Sequence, residues 1–160
     1  MSSSLYSNFN LFLIKLAEAL DISETAYNQA ESRYYSIGEW LDKNLDIHVD
    51  FCPQGSFNLG TVTKILADDD EYDLDALCIP KISKDQISPQ ELKELIGEQI
   101  KAYAKSNNMN HRAKEGRRCW TLTYAEGSQF HLDILPAVPE ETEIKLLLIY
   151  HGVPEEWAKE

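Results

Sequence analysis

A chain of 160 residues, 43% hydrophobic and 26% charged, is large enough for one soluble globular domain with its own core. Its 27 acidic against 15 basic residues leave a net charge of −12, which argues against a protein that coats DNA or RNA, though not against nucleotides carried with divalent metal. No apolar run approaches the roughly 20 residues of a membrane span, MSSSLYSNFN lacks the basic start of a secretory signal, and the scattered cysteines Cys52, Cys78 and Cys119 outline neither a zinc site nor a disulfide framework. Reduced thiols in a cytoplasmic protein are the expectation.

Residues 5 to about 20 read as an amphipathic helix, with Leu5, Phe9, Phe12, Leu13, Leu16 and Leu20 on one face. Asp21, with Glu24 three later, resembles the capping box of a second, longer helix. That helix carries a stripe of Tyr27, Ala30, Tyr34, Ile37 and Leu41 and ends near Asn44. Its aromatic residues Tyr27, Tyr34 and Trp40 are expected to pack rather than to hold a ligand. Ile47 to Phe51 alternates as a first strand, which Pro53 is expected to end. Leu74 to Ile79 is a second strand, stopped by Pro80. Ser88-Pro89-Gln90-Glu91 opens a helix with proline at its first position, continued by Leu92, Leu95, Ile96, Gln99, Ile100 and Tyr103. Arg118 to Ala125 and Phe130 to Leu135 alternate as a hairpin turning at Gly127-Ser128, and Ile144 to Tyr150 is a short terminal strand. The order of elements is that of an α+β fold with a mixed, mostly antiparallel sheet.

The chemistry lies between Pro53 and Pro80. Gly55-Ser56 is a small-residue turn where backbone N–H groups can approach a phosphate closely, and Gln54 adds a side-chain amide. If Ser56 opens a helical turn, its hydroxyl and the free amides form an anion site. Asp73 and Asp75 are two apart in a strand, so they share a face, with Leu74 and Ala76 turned to the core. Two carboxylates so placed repel each other, and a hard cation relieves that repulsion. Mg²⁺ suits oxygen ligands and keeps phosphates in its shell, and Mn²⁺ is its substitute. Asp133, between Leu132 and Ile134, is an acid in an apolar strand and needs a reason to be there. Beside Asp73 and Asp75 it completes a three-carboxylate site in which two metals could activate a hydroxyl and stabilise a leaving pyrophosphate.

Taken singly, each feature is ordinary. Gly-Ser is a common turn, Asp-x-Asp in a strand is more often an exposed polar face, and a lone Asp133 is a strand-edge carboxylate. Their conjunction is more specific. The run Asp68 to Glu71 is read as a solvated acidic loop. His111, Arg112, Lys114, Arg117 and Arg118 form the basic cluster, read first as a solvated turn and otherwise as a contact for triphosphate or an RNA activator. His131 shares a strand face with Asp133 and either hydrogen-bonds near the site or faces solvent. Lys64 lies within reach of a phosphate at the Gly-Ser turn.

The motifs QGSFNLGT, DEYDLD and FHLDILPAVP resemble the bacterial CD-NTases, the cGAS/DncV-like nucleotidyltransferases of the DNA polymerase β-like superfamily, and ISETAYNQAESRYYSIGEWL resembles their long spine helix. The resemblance runs from about residue 8 to residue 157. It implies a polymerase β-like core in a single catalytic domain over residues 1–160. It implies catalytic and metal-ligating roles for Asp73, Asp75 and Asp133, with Mg²⁺ as cofactor, and nucleotide binding by Gln54, Gly55, Ser56 and Phe57. The implied reaction joins nucleoside triphosphates, ATP among them, into a cyclic di- or trinucleotide with release of pyrophosphate. Its setting is antiphage (CBASS) signalling, where the product switches on an effector protein. Family members are commonly about twice this length, with a helical second lobe that closes the cleft. A chain that stops at VPEEWAKE is therefore expected to lack that lobe and to be weakly active alone. A nucleotidyltransferase acting on RNA ends, proteins or small molecules is the alternative. A non-catalytic module with the same fold is disfavoured by the presence of all three aspartates.

Overall fold

A computed structural model describes residues 2–67, 70–109, 113–124 and 130–139. Four helices and five strands alternate along them: α1 (Ser2–Leu20), α2 (Glu24–Asn44), β1 (Val49–Gln54), α3 (Gly55–Leu59), β2 (Tyr72–Pro80), α4 (Pro89–Ser106), β3 (Lys114–Glu115), β4 (Trp120–Thr123) and β5 (Phe130–Pro136). The strands form one sheet in the order β1-β2-β5-β4-β3. Only the central β2–β5 pair is parallel, and the other three pairs are antiparallel. The fold is α+β with a mixed sheet, as the alternation of patterns predicts.

One face of the sheet is covered. Strand residues of one parity, Tyr72, Leu74, Ala76, Cys78, Leu122, Leu132 and Ile134, are buried against Ala30, Ile37 and Leu41 of α2 and Ile96 and Ile100 of α4. Period-2 strands and 3.6-period helices therefore meet in one core, and the opposite parity of each strand is left facing outward. Gly97 of α4 lets the helix approach closely, because a Cβ there would overlap the Trp120 ring. The indole is held in place by its Nε1–H, which donates to the Lys93 carbonyl at 2.9 Å. The predicted packing role holds for Tyr34, which is buried, and for Trp40, whose ring stands edge-on to Tyr103 at 5.8 Å. Tyr27 is 45% exposed.

Several boundaries differ from the sequence reading. Ser23, not Asp21, caps α2, its Oγ accepting from the Ala26 N–H at 3.2 Å. Asp21 instead makes an isolated bridge to Thr63. The first strand starts at Val49 and runs through Pro53 to Gln54. Proline is tolerated there because β1 lies at the sheet edge and its missing N–H interrupts no central ladder. The predicted capping box at Ser88 is present, with Ser88 Oγ accepting from the Glu91 N–H and Glu91 accepting from the Ser88 N–H. Helix α1 forms as expected, yet its stripe is uncovered: Phe9 and Phe12 are 57% and 58% exposed. The predicted turn at Gly127-Ser128 and strand at Ile144 to Tyr150 lie outside the described residues.

Candidate active site

The face of the sheet that the described helices α2 and α4 leave open carries the polar residues. Strand register places Gln54 opposite Asp75, Asp75 opposite Asp133, Asp133 opposite Thr121, and Thr121 opposite Lys114, so one row crosses all five strands. A second row, Asp73, His131 and Thr123, runs beside it. Asp73 and Asp75 share the outward face of β2, and the parallel pairing sets Asp133 beside them. Sequence reasoning named these three acids, and the sheet brings them together.

The charges are felt. Asp75 has its carboxyl pushed above the usual range, first by burial and then by the charges of Asp73 and Asp133, with His131 pulling the other way. The Tyr34 phenol is also raised, by burial first and then by Asp75 and Asp73. Its hydroxyl donates to the Asp75 carbonyl at 3.1 Å, which ties α2 to β2.

The other two acids are engaged. His131 lies 3.0 Å through Nε2 from Asp73 and 3.2 Å through Nδ1 from Glu71. Its hydrogen-bonding role, left open by the sequence, is thereby present. Thr121 Oγ1 donates to one oxygen of Asp133, and Cys119 Sγ lies 3.7 Å from the other. Burial first, and then the neighbouring Asp133, raise the Cys119 thiol. Thr121 and Cys119 escaped sequence reasoning, although alternation in RCWTLTYA sets Cys119, Thr121 and Thr123 on the polar parity. Among the described residues, no three His, Cys, Asp or Glu side chains close on one point as a ready-made metal cluster.

The Gly-Ser turn sits directly against the carboxylates. Gly55 has φ +61°, and a Cβ there would collide with the Asp75 carboxylate, so both conformation and space demand glycine. Ser56 follows in the single turn of α3, which Gln54 leaves without a side-chain cap. Gly60, at φ +64°, closes that turn. Ser56, Lys64 and Asp73 line one depression of about 390 Å³. Phe57 turns the other way. It stacks on Tyr27 at 6.0 Å and meets Tyr34 edge-on at 6.2 Å, in the groove between α2 and β1. The structure gives Phe57 a packing role. Asp68, Asp69, His111 and Arg112 lie outside the described residues.

Residues 49–136, from the start of β1 to the end of β5, match the family described as "Cyclic GMP-AMP synthase DncV-like, nucleotidyltransferase domain". The chain belongs to this family. The c-di-GMP synthase of Roseivirga ehrenbergii is 27% identical over 128 residues, a stretch covering 78% of this chain and 32% of that protein. Among solved structures, the Bradyrhizobium diazoefficiens CD-NTase CdnG in complex with GTP is 26% identical with a TM-score of 0.61, over 78% of this chain and 36% of that one. Vibrio cholerae DncV cyclic AMP-GMP synthase, in complex with the linear intermediate 5′ pppA(3′,5′)pG, shares the fold at a TM-score of 0.65 and 13% identity, over 88% of this chain and 50% of that one. The chain thus spans about a third to a half of the length of these CD-NTases. None of its described helices is long and apolar enough to cross a membrane.

Proposed function

We propose that this chain carries the catalytic nucleotidyltransferase unit of a cyclic oligonucleotide synthase, and that it acts with Mg²⁺ on nucleoside triphosphates. The observation that carries the reading is the register of β2 with β5, which aligns Asp75 with Asp133 beside Asp73 and against the Gly55 turn. Asp73, Asp75 and Asp133 would hold the metal. Their donor set is all carboxylate oxygen on one face, which suits a hard divalent cation, and the charges of Asp73 and Asp133, which add to burial in raising the Asp75 carboxyl, are what such a cation would neutralise. When bound, the metal supplies charge neutralisation for the triphosphate and activation of the attacking hydroxyl.

The chain's own residues do the rest. Gln54, Gly55 and Ser56 orient the donor phosphates through backbone N–H groups and the serine hydroxyl, and Lys64 adds a cation in the same depression. Asp133 exchanges one of its contacts with Thr121 or Cys119 for the ligand set, and stands nearest the acceptor hydroxyl, whose proton it helps to remove. Attack of that 3′-hydroxyl on the donor α-phosphorus forms a phosphodiester and expels pyrophosphate, and a second such step closes the ring. The family's place in antiphage signalling, with an effector answering to the cyclic product, is the setting proposed for it.

Calorimetry with ATP or GTP and Mg²⁺ tests the site. The parent binds metal-nucleotide, and Asp73→Ala with Asp75→Ala abolishes that binding while circular dichroism shows an intact fold. A double variant that binds as tightly as the parent would show that the carboxylates are not the metal site.

A further inference from the structure

Beyond the catalytic row, the basic cluster of the sequence contributes to a cavity of its own. It encloses about 470 Å³, within the roughly 300–1,000 Å³ of small-molecule pockets. Lys84, Lys93, Arg117 and Arg118 line it over an apolar floor that includes Leu92 and Leu135, and among the described residues none that lines it is acidic. On a chain with 27 acids and 15 bases, four cations around one cavity, with no acid among its described lining residues, are unusual.

The two arginines are presented on a fixed loop between β3 and β4. The Gly116 N–H donates to the Cys119 carbonyl at 2.9 Å, and Lys93 Nζ donates to the Gly116 carbonyl at 2.6 Å and to Glu115 at 2.7 Å. Neither Arg117 nor Arg118 has an ion pair with another described residue, whereas Lys93 is neutralised by Glu115. Two guanidinium groups on a braced turn are suited to bidentate recognition of phosphate oxygens.

Position supplies the ligand. Leu135 lies two residues beyond Asp133 on the same face of β5, while Ser88, Pro89 and Leu92 line the cavity from the start of α4, so it sits at the end of β5 next to the row that holds Asp133. Arg118 adjoins Cys119, whose thiol touches Asp133. The Gly55 turn lies on the β1–β2 side of Asp133, and the cavity lies on the far side. We propose that this cavity binds polyphosphate, and that it takes the 5′-triphosphate of the acceptor nucleotide while that nucleotide's 3′-hydroxyl lies at Asp133. The polyphosphate site stands on the cavity alone. Its assignment to the acceptor rests on the nucleotidyltransferase reading above.

Inorganic tripolyphosphate, titrated calorimetrically into the protein in EDTA, reads the cavity without the metal site. Saturable binding is expected, weakened at least about tenfold by Arg117→Glu with Arg118→Glu, as loss of one charge-assisted hydrogen bond already implies. Arg117→Lys with Arg118→Lys should retain part of the affinity, and thermal melts should show both variants folded. Asp73→Ala with Asp75→Ala should leave this isotherm unchanged, which separates failure of the cavity from failure of the metal site. Absent binding, or full binding by the charge-reversed variant, overturns the site. ATP or GTP in EDTA should displace tripolyphosphate. Failure to displace it would assign the cavity to a polyphosphate other than substrate and overturn the acceptor role.

Discussion

At the scale of the residue, Asp75 is under several constraints at once. It sits under the Gly55 turn, between two other carboxylates, with its carboxyl raised by burial and by their charges. A carboxyl raised in the folded state binds its proton more tightly there than in the unfolded chain, so folding stability falls as pH rises through the window that starts at the ordinary value of 3.8. The cost is fully expressed above the folded-state value, hence at neutral pH. Asp75→Asn should therefore raise the melting temperature of the metal-free protein at pH 7, and the gain should fade as pH falls towards 4. The proposed metal site adds that Mg²⁺ reverses the ranking, because it stabilises only the parent. Melting curves at several pH values, with and without Mg²⁺, check both statements.

At the scale of the element, α4 and β4 show how closely helix and sheet are fitted. Gly97 has no side chain because Trp120 occupies that space, and Trp120 is itself pinned to the Lys93 carbonyl. Gly97→Ala gains helix propensity, worth about 1 kcal/mol, but overpacks a buried contact at a typical cost of about 1–3 kcal/mol. The prediction is net destabilisation, read as a lower denaturant midpoint with an unchanged slope. Elements were legible in the sequence wherever the pattern was local. The alternation in DEYDLD placed Asp73 and Asp75 on one face, and Ser88 with Glu91 announced α4. Pairing was not legible, because the alignment of Asp75 with Asp133 comes from parallel strands separated by α4 and the β3–β4 hairpin, and no local pattern encodes it. Thr121 and Cys119 became visible as partners of Asp133 only once β4 and β5 were in register. The strand through Pro53 was misjudged because an edge position, which excuses the proline, is a property of the whole sheet.

At the scale of the molecule, the folded body is the sheet with α2 and α4, and α1 is attached to it chiefly at one end. The Lys64 N–H donates to the Leu20 carbonyl at 2.7 Å, and the bridge between Asp21 and Thr63 follows immediately. Beyond that junction, Tyr6, Phe9, Phe12 and Ile14 are more than half exposed. Removing residues 2–19 should shift the melting temperature by no more than about 2–4 °C, the change that roughly 1 kcal/mol produces in a domain of this size. A larger loss would show that α1 supports the sheet.

The parallel pairing of β2 with β5 also bears on the order of events during synthesis. Asp73 and Asp75 leave the ribosome well before Asp133, and the β3–β4 hairpin must form between them. Non-local pairing of this kind is slow to nucleate, because a long loop must close before any contact rewards it. The three acids are therefore neighbours only in a finished sheet. A nascent or partly unfolded chain presents two of them without the third, so the proposed nucleotide chemistry, which uses all three, waits for β5 to dock.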